Sequence, residues 1–457
     1  MLSALLLVLT PVQSQAETLA LVHATVIPMS SDKVLHDYTI RIENGRILAL
    51  GPSHVLRPES SDRRIDCNGK FVMPGLVDMH VHLHDLRHNL SYLQYGVTSV
   101  FHLDGRPLGL EIQRSILGGE VVGPRTFVAS TAIGGTPLSF RGHVETKTAA
   151  EAEAAVRRLA KAGYQAIKVY NNVDAEMHAA ICSAAGELGL PVIGHIPRTV
   201  GAAKAFENGQ IMVAHAEEFF FTTFKAPRDL RRERIEDYTP DEGTIAEVVA
   251  LAKRHGVLVT PNLSFIANTA RLIEDPGAVF SHPDASFLGD DVLSMWRQSA
   301  PQNRPDYEPW VKRERIKYPL MQRLTLALSR GGVPLLAGTD ASVPGCYPGL
   351  SMHQELQELV LAGLSNRRAL EAATVVPGRF LAQYRMGVGK VGTIEEGSVA
   401  DLIILPENPL VRISALQGLE HVIVFGRHYL VSDIQRLQRG GMGVPTNGNL
   451  TGGPDKP

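Results

Sequence analysis

The sequence predicts an α/β protein, a (β/α)8 TIM barrel carrying a small β-sandwich domain formed by both chain ends. Three observations carry this prediction. Eight short apolar runs alternate with helical stretches through the middle of the chain, β-branched segments with tight turns crowd both ends, and histidine, lysine and aspartate recur where the apolar runs stop. At 457 residues the chain is long enough for more than one domain and a sizeable core. Lys plus Arg number 45 against 47 Asp plus Glu, with no dominant block of one sign, which excludes the surface of a sequence-independent nucleic-acid binder. The three cysteines, Cys67, Cys182 and Cys346, are too few and too scattered for a disulfide framework or a Cys-type zinc knuckle.

Residues 1–16 are apolar from Leu2 to Val12 and close on Gln13-Ser14-Gln15-Ala16, a small-residue exit that resembles a signal-peptidase site. A signal peptide, and with it a secreted or periplasmic location, is therefore expected, although no Lys or Arg precedes the run. The run is too short to span a bilayer, and no other stretch is long and apolar enough to do so.

Residues 17–72 then read as strands over Leu19–Met29, Tyr38–Gly51 and Arg63–Met73, with a hairpin turn at Glu43-Asn44-Gly45. The same texture returns in Val391–Leu405 and His421–Val431, so 17–72 plus 391–432 are expected to form the composite β-sandwich domain. Residues 439–457 are rich in Gly, Pro and Asn and read as a disordered tail.

Between these ends, residues 73–390 supply the barrel. Its strands are read at Gly75–Leu83, Val97–Leu103, Arg125–Ser130, Ala166–Tyr170, Pro191–His195, Ile211–Ala216, Val257–Leu263 and Val333–Asp340. Stretches such as Ala149–Gly163 and Ile245–Gly256 place apolar residues at helical spacing and stop at Gly. In such a barrel the chemistry lies at the C-terminal ends of the strands.

Strand one ends in His80-Val81-His82. Residues i and i+2 of a strand face the same way, so the two imidazoles either converge on a metal ion or stand as polar residues at a strand mouth. Strand four carries Lys168 between apolar neighbours. A buried ammonium is costly, so Lys168 is either in a salt bridge or neutral, and a neutral amine can capture carbon dioxide as a carbamate able to bridge two metal ions. Strand five ends in His195, strand six in His215 and strand eight in Asp340. Each alone has a bland reading as a polar residue at the start of a loop, but the set His-x-His, Lys, His, His, Asp does not.

The stretch Val72–Leu83 resembles the start of the barrel in the amidohydrolase superfamily. Ile167–Tyr170, Gly338–Ala341 and Gly397–Leu402 are similar to later landmarks of the same superfamily. The resemblance runs over about residues 18–432 and points to the imidazolonepropionase-like and Xaa-Pro dipeptidase-like branch. It implies a binuclear metal site, with His80, His82 and Asp340 on the more buried ion, carboxylated Lys168 bridging, and His195 and His215 on the other. Zinc is the first expectation, with manganese or cobalt also suited to imidazole and carboxylate donors. A hydroxide shared by the metals would attack the carbonyl, and Asp340 would take its proton and return it to the leaving amine.

Other assignments rest on position. His143 follows strand three and is either a substrate or oxyanion contact or a loop histidine, and it is carried as a second catalytic candidate. Tyr170 shares a face with Lys168 and either meets substrate or packs on strand five. Arg141 and Arg198 are candidate clamps for a substrate carboxylate. His84, His88 and His102 are read as structural, and Glu217 and Glu218 as partners that orient an imidazole. Asp340 lies 125 positions beyond His215, a wider gap than the family's usual one, so enlarged loops at about 218–330 are expected. Their mixture of Phe219–Phe221, Lys225–Arg234 and Trp296–Trp310 suits a substrate lid, an oligomer contact or a solvated helix face.

The leading function is thus metal-dependent hydrolysis of an amide or peptide bond in a small carboxylate-bearing substrate, a dipeptide or an N-acyl amino acid. Lactone, ester or carbamate hydrolysis on the same binuclear site is the alternative. A mononuclear deaminase stands further off, because it relies on a strand-five HxxE glutamate and here His195 is followed by Ile196-Pro197-Arg198. A non-enzymatic scaffold would have lost ligands that this chain keeps. The expected partner is a small-molecule substrate, with no nucleic acid and no membrane span, and the chain is expected to be a homo-oligomer.

Overall fold

The computed structural model describes residues 18–138, 142–230, 232–387 and 389–439. The signal peptide expected over 1–16 and, Arg439 apart, the tail expected over 439–457 lie outside the described residues. The first strands are β1 (Leu19–Val26), β2 (Leu35–Glu43), β3 (Arg46–Pro52), β4 (Arg63–Asp66) and β5 (Phe71–Pro74). The middle of the chain adds β6 (Leu76–Val81), β7 (Val97–Gly105), β8 (Arg125–Ser130), β9 (Ile133–Gly134), β10 (Val144–Glu145), β11 (Ile167–Val169), β12 (Val192–Gly194), β13 (Gln210–Ala214) and β14 (Leu258–Thr260). The far end returns β15 (Leu402–Leu405), β16 (His421–Val424) and β17 (Arg427–Leu430). Helices separate the middle strands, and the whole is a mixed α/β fold.

Both chain ends share one sheet, ordered β17-β16-β15-β5-β1-β2-β3 with β4 against β1. The turn between β2 and β3 holds Asn44 at φ 52° and Gly45 at φ 72°, the left-handed pair a two-residue hairpin requires. Side chains alternate across the sheet. Leu21, Ile40, Ile42, Leu402 and Ile404 form the core of one face, while Met73, Ile403, Val422 and Val424 join the large central core on the other. The strand read from Val391 begins only at Leu402, because Gly392 and Gly397 take φ 78° and 81° and break the extended chain ahead of it. Where this sheet meets β8, the buried Arg125 pairs with the buried Asp401 at 2.5 Å, and its guanidinium lies 4.0 Å from the ring centroid of Phe425.

The middle strands are parallel and fall into two hydrogen-bonded sheets, β6-β7-β8 and β10-β9-β11-β12-β13-β14. A single bridge between Ala129 and Ala166 links the two, and bridges Val259–Leu335 and Val81–Ala341 tie the eighth run to β14 and β6. Backbone hydrogen bonds from the Leu336 N–H to the Val259 carbonyl and from the Met79 N–H to the Ala337 carbonyl also hold the run against its neighbours, although no regular strand forms over Val333–Asp340. The short pair β9 and β10 has no counterpart among the eight runs. Thr148 caps the helix Ala149–Ala162 through the N–H of Glu151, and Gly163 ends it at φ 99°.

The enlarged segment after His215 folds mainly as helices, among them Leu263–Glu274, Asp290–Gln298 and the long Tyr307–Arg330. Its aromatic residues largely serve packing: Phe219, Phe220 and Trp296 are fully buried, and the Trp296 indole N–H donates to the Ser342 carbonyl at 2.9 Å, close behind Asp340. No helix among the described residues is long and apolar enough to cross a membrane. Cys67, Cys182 and Cys346 are all buried and unpaired.

Candidate metal centre

Asp78, two residues before His80 and on the same side of β6, fixes the floor of the site. Its carboxylate accepts the Thr339 hydroxyl at 2.6 Å and the Thr339 N–H at 3.1 Å, and also the His80 N–H at 3.2 Å. This clamp joins strand one to the eighth run, and the Asp340 N–H donates to the His80 carbonyl at 2.7 Å. Asp340 itself sits at φ 61°. Burial pushes the Asp78 carboxyl up to about 7.

Three imidazoles converge on Asp340. His82 Nε2 stands 2.8 Å and His80 Nε2 3.2 Å from its Oδ1, while His215 Nε2 stands 3.1 Å from Oδ2. The His80 and His215 rings stack at 4.9 Å. Burial alone would raise the Asp340 carboxyl, but His80 and His215 outweigh it and hold it well below the usual carboxylate range. Burial drives His80 and His195 down toward the neutral imidazole, the form that binds a metal. His215 is driven the other way, to about 10, because Asp340 overcomes the effect of burial.

His195 completes the ring of donors 5.3 Å from His215, centroid to centroid. Its carbonyl accepts the Gln210 amide at 3.0 Å, which fixes the end of β12 to β13. Lys168 is 3% exposed and donates to the Leu103 carbonyl at 3.2 Å. Burial depresses its pKa against the pull of Asp104, Asp340 and Glu218. Tyr170 packs between His195 and His143, at ring distances of 4.4 and 4.7 Å. Arg198 is exposed at the rim, and Arg141 lies outside the described residues.

Several groups at the site are not among those the sequence singles out, or differ from their reading. Asp104, one residue past the run read as strand two, faces Lys168, His82 and His143, and its Oδ1 lies 3.8 Å from His143 Nε2. Asn262 approaches His80 Nδ1 at 3.4 Å. Glu217 lies 3.4 Å from His215 Nδ1 and is held from behind by the buried Lys317, which also pairs with Glu314. Glu218 is buried but at 3.9 Å is too far from His195 Nε2 to hydrogen-bond it, and burial, then Glu217, lifts its carboxyl to about 8.

The donor set fits a metal. His80 Nε2, His195 Nδ1 and Glu218 Oε2 are buried without a hydrogen-bond partner. Two triplets of donor atoms, His80/His215/Asp340 and His195/His215/Glu218, each lie within 4.8 Å of one another. Buried polar atoms left without partners are rare unless something else satisfies them.

The amidohydrolase family matches residues 93–429, most of the chain. The chain belongs to the amidohydrolase family. This family generally works through a metal centre. Among curated proteins, imidazolonepropionase of Rhizobium rhizogenes is 34% identical over 64 residues, 14% of this chain and 16% of that protein. Dihydroorotase of Anoxybacillus flavithermus is 46% identical over 46 residues, 10% of each chain. The matched segments thus span less than a fifth of these relatives.

Solved structures align over nearly the full length of this amidohydrolase. A Xaa-Pro dipeptidase with bound methionine superposes with a TM-score of 0.67 at 20% identity, covering 91% of this chain and 100% of that one. Bottromycin amidohydrolase gives 0.71 at 22%, covering 94% and 91%. Ochratoxinase of A. niger gives 0.65 at 20%, covering 91% and 96%. At these identities the likeness is one of fold.

Proposed function

We propose that this amidohydrolase hydrolyses an amide or peptide bond in a small carboxylate-bearing substrate, of the dipeptide or N-acyl amino acid kind, at a centre of two divalent metal ions. The observation that carries the reading is the convergence of His80, His82 and His215 on the buried Asp340, beside unpartnered buried atoms of His80, His195 and Glu218. In this reading the eight parallel segments close as a (β/α)8 barrel through the single bridges at Ala129, Leu335 and Ala341. The sheet from both chain ends belongs to a composite β-sandwich domain over 17–72 and 391–432, and residues 1–16 direct export.

His80, His82 and Asp340 would hold one ion, His195 and His215 the other, and Lys168 would bridge as a carbamate. Zinc suits these donors, as do manganese and cobalt. The ions supply Lewis acidity toward the attacking water and the substrate carbonyl. The rest falls to the chain. Burial lowers the pKa of Lys168 and so favours the neutral amine, which would add to carbon dioxide through Nζ and lose a proton, turning a cation into an anionic ligand. Asp340 remains ionised in its ring of imidazoles, so it can accept a proton from the attacking water and deliver it to the departing nitrogen. The His143 imidazole, packed 4.7 Å from the Tyr170 ring, would donate to the oxygen on which charge develops. Tyr170, whose phenol is raised above its ordinary value chiefly by burial, stays protonated as a donor to substrate, and Arg198 at the rim receives the carboxylate.

Metal-loaded protein screened against dipeptides, N-acyl amino acids, lactones and aryl phosphates tests the reading. The expected result is turnover of amides bearing a free carboxylate, with kcat/KM falling about 10²-fold when that carboxylate is amidated. Faster turnover of a simple lactone, or a single ion per chain with Lys168 unmodified by mass spectrometry, refutes it.

A further inference from the structure

Two adjacent glutamates follow His215, and the structure gives them different surroundings. Glu217 is fully engaged: Lys317 lies 2.7 Å from its Oε2, and His215 Nδ1 stands 3.4 Å from its Oε1. It does what a carboxylate behind an imidazole ligand does, fixing the ring from the far side. Glu218 does nothing of the kind. It is 3% exposed, its Oε2 is buried without a partner, and its nearest imidazole nitrogen, His195 Nε2, lies at 3.9 Å.

The Ile196 N–H hydrogen-bonds the Glu218 carboxylate, but a buried carboxylate oxygen left without a partner still carries a desolvation cost, which a hydrogen bond, a cation or a metal must offset. Lys317 is taken by Glu217 and Glu314, and Arg198 is exposed at the rim. What Glu218 does share is a donor cluster: one atom each of His195, His215 and Glu218 lie within 4.8 Å of one another, all three residues buried. Ligands that each stand ~2 Å from an ion must lie within about 4 Å of one another, so this triplet needs only a small contraction to close on one. The short helix Glu217–Thr222 starts directly after His215. Successive residues on a helix point about 100° apart, so Glu217 faces outward to Lys317 while Glu218 faces inward.

We infer that Glu218 is a direct ligand of the second metal ion, alongside His195 and His215, and that Glu217 is the residue that positions His215. The inference rests on the two-metal reading and adds to it a ligand contributed by the start of the enlarged segment. The second ion is then held by two imidazoles and a carboxylate of its own, besides the bridge at Lys168.

The test is titration of the metal-depleted full-length protein with Co²⁺, read by bound metal and by the visible d–d absorption of each ion. Wild type is expected to take two equivalents. Glu218→Gln is isosteric and should leave the first ion unchanged. It should weaken the second by more than the ~10–100-fold typical of losing an outer partner, with a changed absorption envelope. Glu217→Gln should fall within that ~10–100-fold range with the band shape kept. Glu218→Asp, which retains a carboxylate, should keep both ions with a shifted second band, and it serves if the Gln variant loses its circular dichroism. A Glu218→Gln or Glu218→Asp protein that binds both ions with wild-type affinity and spectrum overturns the inference and leaves the two-metal reading standing. Wild type that binds a single ion overturns both.

Discussion

Replacing Asp401 by Ala isolates what holds the terminal sheet to the rest of the chain. Asp401 and Arg125 are 2% and 11% exposed and approach to 2.5 Å, with a second contact at 3.3 Å and the Phe425 N–H donating to the same carboxylate at 2.8 Å. In Asp401→Ala the guanidinium stays buried with no counter-ion, and removing one member of a buried pair typically costs about 3–5 kcal/mol. The orphaned Phe425 N–H adds roughly 1 kcal/mol or more. Replacing both partners with apolar residues, as in Arg125→Met/Asp401→Leu, leaves no unpaired charge and should cost markedly less than Asp401→Ala alone. Urea unfolding followed by circular dichroism gives the comparison. A loss below about 1 kcal/mol in the single variant, or a double variant less stable than the single one, refutes the reasoning.

Two further outcomes follow from buried positions. Burial, assisted by Glu358, lifts the Glu355 carboxyl to about 8 from an ordinary 4.5, so the folded chain binds a proton that the unfolded chain has released across that window. The stability contributed by Glu355 therefore falls as pH rises from about 5 to 8, and Glu355→Gln, which keeps an acceptor for the Ser264 N–H, should remove that contribution; a variant whose unfolding free energy changes between about pH 5 and pH 8 by as much as the wild type's would exclude it. Gly194 sits at φ 116°, and a Cβ there would stand 2.5 Å from the Val169 carbonyl oxygen and 3.0 Å from Lys168 Cγ. Gly194→Ala must push β11 and β12 apart beneath His195 and Lys168, with an expected loss of about 1–3 kcal/mol and of bound metal by elemental analysis; a variant with wild-type metal content shows that the strands can give way.

The clustering of the histidines with Lys168 and Asp340 is legible in the sequence because each stands where an apolar run stops, and a parallel sheet brings such stops to one end. Lys168, His195 and His215 could be picked out although β11 and β12 are only three residues long. What escaped depends on partners distant in sequence. Asp78 could have been flagged by alternation with His80, but its role is defined by Thr339, 261 positions away. Asp104 was cut off because the apolar run ends at Leu103, whereas β7 continues to Gly105. Glu217 and Glu218 are identical in the sequence, and only the turn of a short helix against Lys317 separates them. The aromatic residues of the enlarged segment resemble a lid in composition, and Phe219, Phe220 and Trp296 instead fill the interior because the segment folds into packed helices.

The ladder between β5 and β15 has a consequence for how the molecule comes to exist. Val72 and Met73 pair with Ile404 and Ile403, so strands made early must wait for partners more than 300 residues later. On a ribosome adding roughly 5–20 residues per second, the edge of β5 stands open for some tens of seconds. During that interval an apolar, hydrogen-bond-hungry strand is available to any neighbouring chain. A nascent chain stopped short of Leu402 keeps that edge for good, so truncation before β15 should send the protein to chaperones or aggregates rather than yield a smaller working protein.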